Sequence, residues 1–379
     1  MKETNRTFSA SFFRLFITIP ATALYLICLS GWYVPPEITR IPALLSPAFV
    51  WCWLFLWPLM LWWGKKNKAI LFALAVLTVG GLPTMAASFS LAIAKPFPIE
   101  KANENLRVMQ WNCMNFPGAE KSNPTRKNER KASVDFINQY QPDIICLQDF
   151  TETRSPLFHS NLALLRDTLG YVYEYVESHA NELRSYGFMT LSNAIFSKKP
   201  ILGHGALFFP DEAFPEAIVW IDVALGNLPV RIVTTHFSSM HFTSHKHFNP
   251  TLPYHLKPDS GIIMSPDVLK KMNYYLGKHI GQSKYLRDFL DSCSIPVVLA
   301  ADLNIVPAHP LYKQVRGQLQ DGFLGSKTGM GNTYNYLAPN LRIDYLFNDK
   351  RLKPVNFHHF TEGFFDHDHL LADYAWRKP

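Results

Sequence analysis

Val297-Val-Leu-Ala-Ala-Asp302-Leu-Asn304-Ile-Val-Pro307 is the stretch on which the reading of this 379-residue chain turns. Its apolar run, opened by Pro296, has the length and β-branched content of a buried strand. The run stops at Asp302 and Asn304. A carboxylate at the end of a buried strand is costly unless something pairs with it, so such a position marks a site. The arrangement recurs outward along the chain. Leu106–Trp111 is followed by Asn112, Asp143–Leu147 by Gln148 and Asp149, and Val230–Thr235 by His236. Asp344 sits inside Arg342–Tyr345, and Asp368 and His369 precede the last apolar run.

The intervening segments supply the rest of a fold. Arg126–Tyr140 and Pro266–Ser292 have helical periodicity, and Pro156–Leu169 reads as a helix closed by Gly170. Ala217–Ala224 and Val230–Thr235 flank Gly226-Asn227, a hairpin signal. Leu341–Phe347 and His369–Trp376 read as late strands, and no internal repeat is evident. Hairpins beside helix-separated strands predict an α/β domain with two packed mixed β-sheets flanked by helices, a four-layer αββα sandwich. Cys113, Cys146 and Cys293 have neither disulfide-framework nor zinc spacing and read as small buried hydrophobes.

The N-terminal quarter has a different composition. Three apolar stretches, near Phe12–Val34, Ile41–Trp63 and Ala69–Ala94, are each long enough to cross a bilayer. Trp32, Tyr33, Trp51, Trp62 and Trp63 lie near the proposed ends, as interfacial anchors do. Gly80-Gly81 and Pro83 interrupt the third. The expected organisation is a transmembrane region of about three helices over 1–94, an exposed linker over 95–105 and a catalytic domain over 106–379. Lys2, Arg6 and Arg14 lie in the N-terminal tail and the start of the first span, and Lys65, Lys66 and Lys68 fill the second loop, whereas the first loop carries only Arg40. This asymmetry predicts a cytoplasmic N-terminus and, after three crossings, a domain on the periplasmic or extracellular side. The formal charge of +7 is uneven too. Residues 1–100 hold eight Lys/Arg against three Asp/Glu, leaving only +2 on the rest, which argues against a nucleic-acid footprint on the domain.

The blocks VMQWNCMNF, DIICLQDF, SNAIFSKKPI, IVTTHF, VVLAADLNIVP, RIDYLF and HDHLLADY, taken in order, resemble the successive motifs of the endonuclease/exonuclease/phosphatase superfamily. Its members include metal-dependent phosphodiesterases such as pancreatic deoxyribonuclease and sphingomyelinase. The resemblance spans Leu106 to Trp376. It implies that Asn112 holds phosphate and the metal side of the site. Asp149 stands where the family usually has a Glu ligating Mg2+. Asp302 and Asn304 orient the attacking water and scissile phosphate, and His236 faces the phosphate. Asp344 pairs with the final histidine, and the closing Asp-His is Asp368-His369, with the Asp near the metal. Asp366-His367 is a rival register; the Leu-Leu-Ala-Asp-Tyr that follows His369 favours the former. His367 also stands where the family usually has Ser.

These residue types suit attack of water on an anionic ester. Mg2+ or Mn2+ on hard oxygen ligands would offset substrate charge, Asp302 would position or deprotonate the water, and a protonated histidine would face the developing charge. The expectation is a metal-dependent hydrolase of a phosphodiester or phosphomonoester, anchored in a bilayer and without an obligate protein partner. The substrate could be a lipid head group, a nucleotide or a nucleic acid. The competing reading is a catalytically inactive binding module or membrane scaffold on the same fold. His241, His245 and His247 read as a solvated loop over the site mouth, with a second metal site as the alternative.

Overall fold

A computed structural model of the chain describes residues 2–113, 116, 124–153, 158–177, 189–210, 216–239, 266–335, 338–361 and 366–377. His241, His245, His247 and the whole Met240–Met264 loop lie outside them. The chain forms two compact units, Met1–Phe89 with Val306–Lys313, and Ser90–Ile305 with Gln314–Pro379.

The first unit begins with α1 (Lys2–Ser30), α2 (Ile41–Leu45), α3 (Phe49–Trp63), α4 (Lys68–Gly80) and α5 (Leu82–Ser88). By length and composition, Phe12–Ser30 and Ile41–Trp63 are candidate membrane spans. Phe16, Leu61 and Phe72 point outward and exposed, the reverse of a soluble helix's polar outer face. Asn67 caps α4 by accepting from the amides of Ala69 and Ile70 at 3.0 and 3.2 Å. The expected third span is broken: α4 and α5 meet at Gly81 with a 46° bend. A break frees backbone carbonyls that hydrocarbon cannot satisfy. Tyr25 Oη donates to Leu77 O at 2.7 Å, Trp53 Nε1 to Thr78 O at 3.0 Å and Tyr33 Oη to Gly80 O at 3.2 Å. An added Cβ at Gly81 would lie 2.2 Å from Tyr25 Oη, so the close approach needs glycine.

The second unit contains β1 (Ser90–Leu91), β2 (Leu106–Asn112), β3 (Ile144–Thr153), β4 (Tyr173–Val176), β5 (Met189–Ser197), β6 (Ile201–Phe208), β7 (Ala217–Leu225), β8 (Leu228–His236), β9 (Val297–Asp302), β10 (Gln320–Asp321), β11 (Thr328–Gly329), β12 (Asp344–Asn348), β13 (Leu352–Phe360) and β14 (His369–Trp376). Twelve of them form two six-stranded mixed sheets, ordered β13-β14-β2-β3-β5-β4 and β10-β12-β9-β8-β7-β6, flanked by helices, and β1 pairs with β11 in a separate two-stranded sheet. Each sheet holds one parallel pair, β2–β3 and β8–β9, joined through a long helix, α6 (Pro124–Tyr140) and Pro266–Ser292 respectively. Where a longer helix is expected over 156–169, the described residues form only one short turn at Asn161–Ala163, followed by a π-helical turn at Leu164–Thr168.

Period-two alternation sorts the side chains of β2. Leu106 and Val108 enter the layer between the sheets, with Ile144, Val219, Ile232, Val298 and Leu346. Met109 and Trp111 point outward against Phe136 and Ile137 of α6. Each fully buried aliphatic side chain contributes roughly 1.5–3 kcal/mol, so both apolar layers stabilise the fold. The stretch expected as an exposed tether packs on the sheet: Phe97 meets Tyr140 and Phe360 edge-on with ring centroids 5.9 Å away. Buried Arg107 donates to the carbonyls of Ile99 and Pro98 at 2.7 and 2.9 Å, and its guanidinium pairs with Asp373 of the neighbouring strand.

Candidate active site

Four strands of the two parallel pairs run toward the same end, and the polar residues collect there. Asn112 ends β2, His236 ends β8 and Asp302 ends β9, with His236 and Asp302 directly paired in the ladder. Asp344 opens β12 and, because β12 runs antiparallel to β9, stands opposite Asp302. In β3 the ladder slips between Leu147 and Phe150, and Asp149 sits in that bulge with φ of 50°, a left-handed conformation that Asp tolerates better than longer side chains.

Hydrogen bonds across the interleaf layer fix these groups. Asn112 Nδ2 donates to Asp302 Oδ2 at 2.9 Å. Gln110 Nε2 donates to Asp344 Oδ1 at 2.8 Å and to Gln148 Oε1 at 2.9 Å. Gln148 Nε2 in turn donates to Thr234 Oγ1 at 2.7 Å. Asp302 Oδ1 accepts from the amide of Asn304 at 3.0 Å, which holds Asn304 at φ 52°. The Asn304 amide group donates to Phe237 O at 2.9 Å and lies 3.2 Å from His236 Nε2. Asn112, His236, Asp302, Asn304 and Asp344 are therefore brought together.

The histidine that meets Asp344 is His367, not His369 as the Asp368-His369 register expects. His367 Nδ1 lies 2.9 Å from Asp344 Oδ2 and 3.7 Å from Asp302 Oδ2. His369 begins β14, where alternation turns it to the helix-facing side of the sheet with Leu371. There its ring stacks on Phe136 at 4.7 Å and meets Trp111 at 4.5 Å. Burial pulls its pKa down to about 3, so it is held neutral. Asp368 is turned from the expected metal-side position as well. Its carboxylate accepts from His359, from Thr361 Oγ1 at 2.8 Å and from Asn335 Nδ2 at 2.7 Å.

The electrostatics follow from burial. Burial disfavours the His367 cation, but Asp344, Asp366 and Asp302 outweigh it and push its pKa up to about 10. Burial and the neighbouring Asp344 push Asp302 up to about 6, against His367, His236 and the Asn112 hydrogen bond. Burial raises Asp366 too, opposed by His367 and reinforced by Asp149. His236 is drawn down by burial and more strongly up by Asp149 and Glu216, ending well above its usual value. Its Nδ1 is 3.4 Å from Asp149 Oδ1 and equally far from Glu216 Oε1. A neutral His236 ring accepts from Asn304 at Nε2, whereas the cation presents an N–H toward Asp302 Oδ2, 3.6 Å away.

Asp302, Asp344 and His367 place one ligand atom each within 4.8 Å of one another and could hold a metal. Asp149 and Asp366 form a second acidic neighbourhood, sensed also by the buried Cys113 thiol, which burial and then these two carboxylates push up.

Glu216 went unread because it precedes its strand without any periodic signal. Gln110 did carry one, a polar residue on the inward side of an apolar strand. Thr333 and Asn335 act through short hydrogen bonds in an irregular segment, which no spacing announces.

The sequence model of the Endonuclease/Exonuclease/phosphatase family matches residues 109–364. Comparison with the curated proteins returned no match. Among solved structures, an endonuclease/exonuclease/phosphatase from Beutenbergia cavernae is 20% identical, with a TM-score of 0.48 and 72% of each chain covered. The human Nocturnin catalytic domain with bound sulfate anion is 14% identical, with a TM-score of 0.46, covering 73% of this chain and 97% of that one. Truncated Caenorhabditis elegans TDP2 is 16% identical, with a TM-score of 0.47, covering 72% and 98%. With two six-stranded mixed sheets flanked by helices and a family match over most of its length, the chain belongs to the Endonuclease/Exonuclease/phosphatase family.

Proposed function

We propose that this protein is a divalent-metal-dependent phosphoesterase anchored in a membrane, with Asp302, Asn304, Asn112, Asp344, His367 and His236 acting on one phosphate group. The observation that carries this reading is the His367–Asp344 pair set against Asp302 and its two hydrogen bonds, from Asn112 and the Asn304 amide. Family membership supports the reaction class, since the family hydrolyses phosphate esters.

Asp302, held on both oxygens, orients a water and, with its raised pKa, is basic enough to take a proton from it. Asp344 accepts from His367 Nδ1–H and favours the ring's cation, which leaves Nε2–H for a phosphate oxygen as charge builds. Asn112 and Asn304 position the ester, and His236 faces the same anion. The donor set fits a hard cation: Asp149 and Asp366 are carboxylates close enough for Asp149 to raise the pKa of Asp366, a repulsion that a bound cation removes. These two carboxylates, with Asn112 beside them, would hold Mg2+ or Mn2+; Asp368 is replaced in that set by Asp366. When bound, the ion offsets phosphate charge and polarises the phosphoryl group.

Attachment to a bilayer favours a lipid head group or an exported nucleotide as substrate. The modest +2 charge of residues 101–379 speaks against a long polyanion. The test is hydrolysis of bis-p-nitrophenyl phosphate and a phospholipid panel by the full chain in detergent, with Mg2+, Mn2+ or EDTA. Loss of activity in EDTA and in the His367→Ala variant is the expected result. Metal-independent turnover, or none with any ion from a folded protein, would overturn it, the latter in favour of an inactive binding module.

A further inference from the structure

Asp368 lies outside the group of residues that surround the reacting phosphate, yet it is among the most heavily bonded carboxylates in the chain. Three side chains converge on it. His359 and Thr361 approach from the end of β13, and Asn335 approaches from the irregular segment before β12. Its own amide donates to Thr333 O at 2.8 Å. The Thr333 hydroxyl accepts from the amides of Ile343 and Asp344 at 3.0 and 3.1 Å. Asn335 closes the loop from the other side, donating its amide to Asp366 O at 2.8 Å. Tyr334 lies between these anchors and bridges His367 in the backbone, with the two rings 5.0 Å apart. Thr333–Asn335 is thus a clamp with one jaw on the backbone of Asp344 and the other on Asp366 and Asp368.

His367 sits at the centre of that clamp. It lies two residues before the start of β14, and a slip of one residue would carry its ring away from Asp344. Its backbone amide donates to Asp366 Oδ1 at 3.0 Å. The two backbone hydrogen bonds that flank His367, from Asp368 N–H to Thr333 O and from Asn335 N–H to Asp366 O, set the register of residues 366–368, and the side chain of Asp368 ties that register to Asn335 and to the end of β13. We infer that Asp368 is a positioning residue, which holds His367 on Asp344 through Asn335, Thr333 and the end of β13 without touching substrate. This rests on the phosphoesterase reading of the site above.

The inference is tested by combining variants in the full chain in detergent, with bis-p-nitrophenyl phosphate and Mg2+. Residues that act as a unit are non-additive, so a group working through His367 has nothing further to remove once His367 is gone. Asp368→Ala in the wild-type background is expected to lower kcat by about 10- to 100-fold and leave KM within about twofold. In the His367→Ala background it is expected to change the residual rate by less than about twofold. Asp368→Ala removes a buried acceptor of three donors and so burdens folding as well, and exposed Asn335 supplies a second variant: Asn335→Ala keeps the backbone bond to Asp366 and is expected to cost kcat about three- to tenfold, again only when His367 is present. Equal fold-losses with and without His367 would overturn the inference, since they mark a general structural effect. So would unchanged kcat in Asn335→Ala and Asp368→Ala. Wild-type activity in His367→Ala alone would instead overturn the assignment of His367, and this inference with it.

Discussion

At the scale of single residues, the site separates two histidines that are neighbours but one in the sequence. His367 meets Asp344, and His369 is a packed ring between Phe136 and Trp111. His367→Ala is expected to lower kcat by about 10³-fold, the usual reach of a positioned proton donor. His369→Ala is expected to cost about 2–5 kcal/mol of stability by opening a cavity while the folded fraction keeps kcat within about tenfold. Kinetics and thermal melts on both variants check this, and a reversed pattern would return the closing motif to Asp368-His369. The pKa shifts set a pH profile. Asp302 must be ionised to accept a proton, so kcat/KM falls as pH drops through about 6, and His367 must be protonated, so it falls again as pH rises through about 10. Asp344→Asn removes the strongest charge that holds the His367 proton, so the alkaline limb should move toward neutrality. A limb that stays in place would exclude His367 as its source. Asn112, His236, Asp302, Asn304 and Asp344 were legible in the sequence because each ends or opens an apolar run. The closing motif was not, because Asp-His-Asp-His offers two registers and only the sheet's alternation decides between them.

At the scale of elements, legibility followed hydrophobic period. The apolar runs that became β2, β3, β8, β9, β12 and β14, and the helices α6 and Pro266–Ser292, stand out by pattern. β13, with Lys353, Asn356, His358 and His359 among its residues, does not, since an edge strand has only one neighbour to pack against. The break between α4 and α5 was foreshadowed by Gly80-Gly81 and Pro83, but its satisfaction by Tyr25, Trp53 and Tyr33 depends on tertiary contacts that no local signal encodes. Gly81→Val would put a Cβ 2.2 Å from Tyr25 Oη and 2.7 Å from the Trp53 ring. Overpacking of this kind costs about 1–3 kcal/mol or more. A lowered melting temperature of the full chain in detergent is expected, and an unchanged one would show that the bend relaxes freely.

At the scale of the whole molecule, the positive-charge asymmetry predicts that Lys65, Lys66 and Lys68 face the cytoplasm and Glu37 the outer side. In a cysteine-free background, Glu37→Cys in intact cells should react with a membrane-impermeant maleimide, and Lys66→Cys should react only after lysis. The reverse labelling would invert the topology. The domain's composition, mixed strands and ordered blocks made its architecture readable, whereas the path of residues 95–105 was not, because Phe97 finds its neighbours only once α6 and β13 are in place. One bond has a wider bearing. Asn112 and Asp302 come from opposite sheets and meet at 2.9 Å, with Val108 and Val298 buried in the layer beneath them. The thickness of that layer is therefore a working dimension of the site, and the two sheets behave as the jaws of a calliper closed on a few hydrogen bonds. Hydrostatic pressure, or the two methyl groups removed from the layer by Val298→Ala, would be felt as slower turnover before any melting is seen.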